Sequence, residues 1–127
     1  MKKIDLTTEE RLAEIRGIIV RSENREMMLD AEPESVVQSA IVGWLRKQPD
    51  TFVVKFAAGP FTLTGVPDLL VCVAGRYLAM EVKVGKNKPT PIQLRRIEEI
   101  EIAGGRALVV RSLAEAQDAW RDTHDGT

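Results

Sequence analysis

The stretch PDLLVCVAGRYLAMEVKV, residues 67–84, decides the fold, because two runs of β-forming residues flank the dipeptide Ala74-Gly75. If this dipeptide is a two-residue turn, the stretch is a β-hairpin in which Val73 pairs with Arg76. Most of the remaining side chains are apolar, which is typical of strands buried within a sheet.

The same register brings two carboxylates and a lysine to one patch. Asp68 falls opposite Glu81, and directly opposed residues have Cβ atoms about 4.5–5.5 Å apart. Because side chains alternate along a strand, Lys83 lies on the same face as Glu81. Facing carboxylates destabilise a strand pair, whereas a hard cation such as Mg²⁺ prefers oxygen ligands and removes the repulsion. An ordinary salt bridge from Lys83 is the alternative, and it is favoured only if Asp68 is ignored.

The rest of the chain predicts helices and strands in an order typical of one α/β domain, a mixed sheet covered by helices. Apolar spacing, caps and turn residues set the boundaries. The predicted elements are a helix within 1–30, a helix from Pro33 to Pro49, strands over 51–56, 69–73 and 77–84, a helix from Thr90 to Gly104-Gly105, a strand over 107–110 and a last helix from Ser112. Residues 122–127 are expected to form a flexible tail.

Length and composition limit the class of protein. The 127 residues suit one ordinary domain, and no apolar run approaches the ~20 residues of a membrane span, so we expect no membrane association. The basic start lacks the apolar stretch of a signal peptide. The net charge is -1, so any contact with nucleic acid must come from a local basic patch.

The single cysteine and the single histidine offer little chemistry. One cysteine cannot form an internal disulfide and fits a reducing compartment, so we expect the cytoplasm of a bacterial or phage-infected cell. Cys72, flanked by valines in a strand, is expected to be an inert buried thiol. His124 lies in the predicted tail, which argues against histidine-based catalysis.

Pro67-Asp68, followed after a strand by Glu81-Val82-Lys83, resembles the signature of the PD-(D/E)XK nuclease superfamily. From about Glu34 to Gln117 the chain is more closely similar to the VRR-NUC branch of that superfamily. The further residues that carry this resemblance are Glu34, Gln38, Ile41, Gly65-Val66-Pro67-Asp68-Leu69-Leu70, Pro91, Gln93 and Val109-Val110-Arg111-Ser112.

The resemblance implies a restriction-endonuclease-like domain over residues 31–121, after a helical extension over residues 1–30. It implies a Mg²⁺- or Mn²⁺-dependent deoxyribonuclease that hydrolyses phosphodiester bonds, selective for branched DNA such as four-way junctions or flaps. The metal ligands would be Asp68, Glu81 and Glu34. Lys83 would orient or deprotonate the attacking water, or neutralise charge on the phosphate.

Three further residues have an implied role and a simpler alternative. Glu34 would point at the metal, but the first turn of any helix favours an acid. Gln93 would support the site, but it also completes a capping box with Thr90. Gln38, one turn after Glu34, is either a supporting residue or a solvated helix residue.

The hairpin leads into a basic segment, because Glu81 to Arg96 contains five basic residues and one acid. We expect DNA contacts from Lys86 and Lys88 in the loop after the strand and from Arg95, with Lys55 and Arg76 extending the patch. A solvated loop is the alternative for any one of these residues. DNA is therefore the expected partner.

Two other expectations complete the sequence-based hypothesis. A two-fold dimer is the commonest closed assembly, and a branched junction presents two scissile strands, so we expect a homodimer with one site per chain. Residues 1–30, ending in Met27, Met28 and Leu29, are a plausible contact surface. The competing functions are a DNA-binding or assembly module of the same fold that does not cleave, and a metal-free accessory protein.

Overall fold

The computed structural model describes residues 32–126, so the helix predicted within residues 1–30 lies outside the described residues. The elements follow the predicted order. Most strand and helix ends differ from the prediction by no more than two residues. They are α1 (Glu34–Leu45), β1 (Thr51–Lys55), β2 (Leu69–Val73), β3 (Arg76–Val82), α2 (Pro91–Ile102), β4 (Arg106–Val110) and α3 (Leu113–Asp125). Between residues 32 and 126 no helix is long and apolar enough to cross a bilayer.

The four strands form one mixed sheet in the order β1-β2-β3-β4. The pairs β1–β2 and β2–β3 are antiparallel, and β3–β4 is parallel. A parallel pair needs a crossover connection, which α2 supplies. This architecture confirms the predicted mixed sheet flanked by helices.

The hairpin turn has the predicted length and register. Val73 pairs with Arg76, as the two-residue turn requires. Ala74 and Gly75 both adopt left-handed backbone conformations, with φ of 50° and 81°. Positive φ at both central residues matches the twist of the flanking strands, so the turn fixes the register of the whole hairpin.

One face of the sheet packs against α1 and α3 and holds the core. Its fully or almost fully buried side chains include Ile41, Leu45, Leu69, Val71, Val73, Leu78, Met80, Val82, Val110 and Ala116. Trp120 of α3 meets Trp44 of α1 edge-on at 5.5 Å between ring centroids. Its indole N–H donates to Thr51 Oγ1 at 2.8 Å, which ties the helix to the edge strand.

The opposite face is covered only in part, which corrects the prediction for Cys72. Its thiol is exposed, because Val71 and Val73 take the core face and Cys72 points the other way. In register with it on the same face, Phe52 is 69% exposed and Tyr77 46% exposed. The α2 helix packs beside β4, so among the described helices none covers this part of the sheet.

The end of the chain also differs from the prediction, because α3 continues to Asp125 and residues 122–125 are helical. Thr123 is buried on the underside of the helix. Arg76 donates from Nη1 to the carbonyl oxygens of Thr123 and His124, both at 3.2 Å. These carbonyls belong to the last turn, where few backbone donors remain, although Thr123 O also accepts from Gly126 N–H at 3.2 Å. The arginine therefore adds hydrogen bonds that hold the helix end in place.

Candidate active site

Glu81 is the central residue of the candidate site. It lies near the end of β3 and is only 1% exposed. Its Oε2 lies 3.5 Å from Lys83 Nζ, and its Oε1 is buried without a hydrogen-bond partner. A buried acceptor without a partner keeps the full cost of its desolvation. The carboxylate therefore has one oxygen for which the described residues provide no donor.

Asp68 stands beside Glu81, where the confirmed register places it. Its Oδ2 accepts a 2.9 Å hydrogen bond from the backbone N–H of Val82, across the hairpin from it. Its backbone oxygen accepts from Phe56 N–H at 2.8 Å, which extends the pairing of β1 with β2 by one step. The carboxylate is thus fixed by its own side-chain bond and by its backbone.

The two carboxylates make a second negative charge costly. Burial raises the pKa of Glu81 from 4.5 to about 7, and the neighbouring Asp68 carboxylate raises it as well, while Lys83 lowers it. The dominant cause is desolvation, which disfavours the charged form of any buried acid. The carboxylate pair therefore binds a proton more tightly than an isolated glutamate does.

Lys83 follows β3 directly, and its side chain is 13% exposed. Its backbone N–H donates to Val110 O at 3.1 Å, so the parallel pairing with β4 continues past the end of the strand. The ammonium group therefore lies beside Glu81 at the rim of the site, with one part still open to solvent. This position suits contact with a substrate and charge compensation at the same time.

The donor set fits a hard divalent cation. Asp68 and Glu81 offer carboxylate oxygens, and Glu81 Oε1 has no hydrogen-bond partner among residues 32–126. Within residues 32–126 no group of three His, Cys, Asp or Glu side chains is placed to hold a metal ion. Mg²⁺ commonly takes one or two carboxylates and completes its shell with waters and substrate phosphate. Two carboxylates are therefore sufficient for such a site.

The three helix residues with implied roles differ in their placement. Glu34 begins α1 and is half-buried, but it does not join the carboxylate pair in a group of three ligands. Gln38 is 8% exposed, so it is not a solvated residue. Gln93 Oε1 accepts from Thr90 N–H at 2.9 Å, and Gln93 N–H donates to Thr90 Oγ1 at 3.2 Å. The capping box is confirmed, and the Gln93 oxygen serves the helix cap.

The basic loop after β3 is placed next to the candidate site. Lys86 and Lys88 are exposed in a turn closed by a 3.1 Å bond from Asn87 N–H to Val84 O. Arg95 on α2 is also exposed, and its side chain lies 3.8 Å from Glu99. The two lysines are therefore open to solvent beside the end of β3, whereas Arg95 forms an ion pair on its own helix.

Two of the predicted basic residues point away from this patch. Lys55 pairs with Leu69, so it projects from the face that α1 and α3 cover, opposite to Asp68. Arg76 begins β3 at the hairpin turn, about 17 Å along the strand from Glu81. It also caps the end of α3. Neither residue extends the patch around the site.

Arg111 is a residue at the site to which the sequence assigned no role. Its Nη1 donates to Gly85 O at 3.3 Å, at the start of the basic loop. Its backbone N–H donates to Glu115 Oε1 at 2.8 Å, which holds its own position. Arg111 follows β4, and only the parallel register of β3 with β4 brings it here. The residues of a tight turn predict the register of a hairpin, whereas no local sequence pattern predicts the register of two parallel strands.

Solved structures with the same fold are VRR_NUC domains. A VRR_NUC domain protein superposes with a TM-score of 0.63 and 25% identity, over 72% of this chain and 88% of that chain. A second structure, a VRR_NUC domain, superposes with a TM-score of 0.56 and 30% identity, over 67% of this chain and 90% of that chain. These likenesses confirm the restriction-endonuclease-like fold.

A third structure is Hjc of Archaeoglobus fulgidus, a Holliday junction resolvase, with a TM-score of 0.48 and 18% identity over 61% of this chain and 67% of that chain. No family model matches the chain. No curated protein sequence matches it significantly either.

The raised pKa of Glu81 predicts a pH-dependent stability. The folded protein holds a proton that the unfolded chain releases above pH 4.5, so the contribution of Glu81 is fully present below pH 4.5 and is lost as pH rises through about 7. This shift corresponds to about 3 kcal/mol at high pH. Urea unfolding in the presence of a chelator measures this effect. As pH rises from 4 to 8, the free energy of unfolding of Glu81→Gln should increase relative to that of wild type by up to about 3 kcal/mol.

The exposed Glu98→Gln on α2 is the matched control and should follow the wild-type curve. If the difference in free energy of unfolding between Glu81→Gln and wild type stays constant across this pH range, the pKa of Glu81 is not raised in the folded protein.

Proposed function

The chain belongs to the VRR-NUC family of the PD-(D/E)XK nuclease superfamily, and we propose that it is a metal-dependent DNA endonuclease that selects branched DNA such as four-way junctions or flaps. The observation that supports the proposal most directly is the buried Glu81 with one unpartnered oxygen beside Asp68. Lys83 completes the set at 3.5 Å from Glu81. Two acids and a lysine thus converge on one end of the sheet.

Asp68 and Glu81 would hold Mg²⁺ or Mn²⁺. Such an ion acidifies bound water and stabilises negative charge on a phosphate. The protein's own contribution is to fix both carboxylates, Asp68 through Val82 N–H and Glu81 through burial. Lys83 would orient or deprotonate the attacking water, or neutralise charge on the phosphate, as the water oxygen bonds to phosphorus and the P–O bond to the leaving strand breaks. The family resemblance adds Glu34 as a third ligand and Gln38 and Gln93 as supporting residues, and these roles stay predictions.

Asp68→Asn should abolish cleavage while the fold and most DNA affinity persist, because phosphate contacts supply most of the affinity for DNA. Glu81→Gln should behave alike. Labelled duplex, flap, single-stranded and four-way DNA incubated with Mg²⁺ or Mn²⁺ provide the assay. Lys83→Ala should lose turnover but retain metal affinity in calorimetry, since lysine is not a ligand.

Three results would count against this assignment. A variant Asp68→Asn that cuts as well as wild type places the site elsewhere. Loss of metal affinity together with activity in Lys83→Ala points to a salt bridge that only maintains structure. A wild-type protein that binds branched DNA without cutting it supports the alternative of a non-cleaving DNA-binding or assembly module.

The basic loop should contribute to affinity for all DNA sequences. Changing both Lys86 and Lys88 to Ala should reduce the slope of log K against log salt by up to about 2, because each phosphate contact contributes about 0.9. The matched control changes Arg46 and Lys47 to Ala, at the end of α1 far from Glu34. If both double variants show the wild-type slope, the loop does not contact DNA.

The active unit proposed here is a homodimer with one site per chain. Each chain offers one set of Asp68, Glu81 and Lys83, and a four-way junction presents two scissile strands that two-fold-related sites can reach. Mixed dimers of wild-type and Asp68→Asn chains should nick such a junction without resolving it. A monomer in sedimentation at micromolar concentration that still cuts both strands would contradict the dimer. The contact expected on residues 1–30 lies outside the described residues.

A further inference from the structure

The loop of residues 57–67, between β1 and β2, carries the most exposed large apolar side chain of the described residues. Phe61 is 99% exposed, and Leu63 is 58% exposed. Single exposed apolar residues are common on soluble proteins and need no explanation. Phe61 differs from such residues in two ways. It lies in a hydrogen-bonded turn, and the loop that contains it begins and ends beside the candidate site.

A tight turn presents Phe61 to solvent. Thr62 N–H donates to Gly59 O at 3.2 Å, with Pro60 and Phe61 as the two central residues. Proline at the first central position presets the backbone angle of such a turn. Gly59 N–H also donates to Thr62 Oγ1 at 2.7 Å, and that hydroxyl donates to Gly59 O at 2.8 Å. Three hydrogen bonds between the same two residues fix the turn at its base.

The second half of the loop is anchored on α2. Arg96 Nε donates to Thr64 O at 2.9 Å. Gly65 has φ of +83°, and a Cβ there would lie 3.0 Å from the backbone of Ile92. Only glycine tolerates both that conformation and that close approach. The second half of the loop is therefore held against the helix.

This loop starts and ends at the candidate site. Phe56 N–H donates to Asp68 O at 2.8 Å, so the two ends of the loop meet beside the carboxylate pair. Seven residue steps separate Phe61 from Asp68, and they span at most about 25 Å. Phe61 therefore lies no more than about 25 Å from Asp68, close enough for one DNA substrate to contact both.

We propose that Phe61 stacks on a base that the substrate leaves unpaired, and that this contact selects branched or single-stranded regions over continuous duplex. The inference rests on the proposed nuclease function and assigns its substrate preference to one side chain. An aromatic ring stacks on any base with little dependence on sequence. A continuous duplex keeps its bases stacked on one another and offers Phe61 no such partner.

The composition of the turn favours a base over a second copy of this chain. The residues around Phe61 are Gly59, Pro60, Thr62, Leu63 and Thr64, of which only Leu63 has a large apolar side chain. Contacts between copies need a contiguous apolar patch, which one ring and one leucine do not provide. One projecting ring on a fixed turn suits insertion beside a single base.

The test compares Phe61→Ala, Phe61→Leu and Phe61→Trp on duplex, flap and four-way DNA of matched sequence. The control is Ile102→Ala, which removes a side chain that is 79% exposed at the other end of α2. Phe61→Ala and Phe61→Leu should lower kcat/KM on flap and four-way DNA by about 5- to 100-fold. Cleavage of duplex should change by less than about twofold in every variant. Phe61→Trp should retain selectivity, because it restores an aromatic face.

A direct readout uses 2-aminopurine placed at the unpaired position next to the scissile phosphate. Wild-type protein and Phe61→Trp should quench its fluorescence on binding, whereas Phe61→Ala should not. Equal effects of Phe61→Ala on duplex and branched DNA, or full activity in Phe61→Leu, would overturn the stacking role. A change of oligomeric state in Phe61→Ala would instead assign the ring to an interface between copies.

Failure of the proposed function looks different from failure of this inference. If wild-type protein cuts no DNA, the nuclease proposal fails, and the fluorescence of 2-aminopurine still decides whether Phe61 stacks. If wild-type protein cuts branched DNA and Phe61→Ala does so equally well, only the stacking role is overturned.

Discussion

The structure is organised around one unfavourable contact, a buried glutamate beside an aspartate on the neighbouring strand. Burial and the Asp68 carboxylate both raise the pKa of Glu81, to about 7. A sheet that served only to fold would not place two acids opposite each other, and most other residues of β2 and β3 are apolar. The fold nevertheless tolerates the contact because a type I′ turn and a Val82–Asp68 hydrogen bond fix the register that creates it. A cation between the carboxylates would offset the repulsion.

The other distinctive features lie at the same end of the sheet. The loop that presents Phe61 closes on Asp68. The loop with Lys86 and Lys88 follows Lys83, and Arg111 ties its first residue to the end of β4. The opposite end, at the hairpin turn, serves stability instead: there Arg76 binds the terminal carbonyls of α3. Chemistry and stabilisation are thus separated along the strands.

Local signals were sufficient for much of this arrangement. The two-residue turn predicted the hairpin register and hence the Asp68–Glu81 pair, and Thr90 with Gln93 predicted the start of α2. Features that depend on packing between distant elements were missed. Cys72 is exposed because no described helix covers its face, which a valine-rich strand does not reveal. The positions of Arg76, Arg111 and the last turn of α3 depend on neighbours far along the chain.

The most direct test of the central claim is a calorimetric titration of the protein with Mn²⁺ in the absence of DNA. It compares wild type with the double variant Asp68→Asn/Glu81→Gln, which keeps the shape of both side chains and removes both charges. We expect one Mn²⁺ per chain in wild type and an affinity lower by more than about 100-fold in the double variant. Equal Mn²⁺ affinity in the two proteins would show that the buried carboxylate pair is not a metal site.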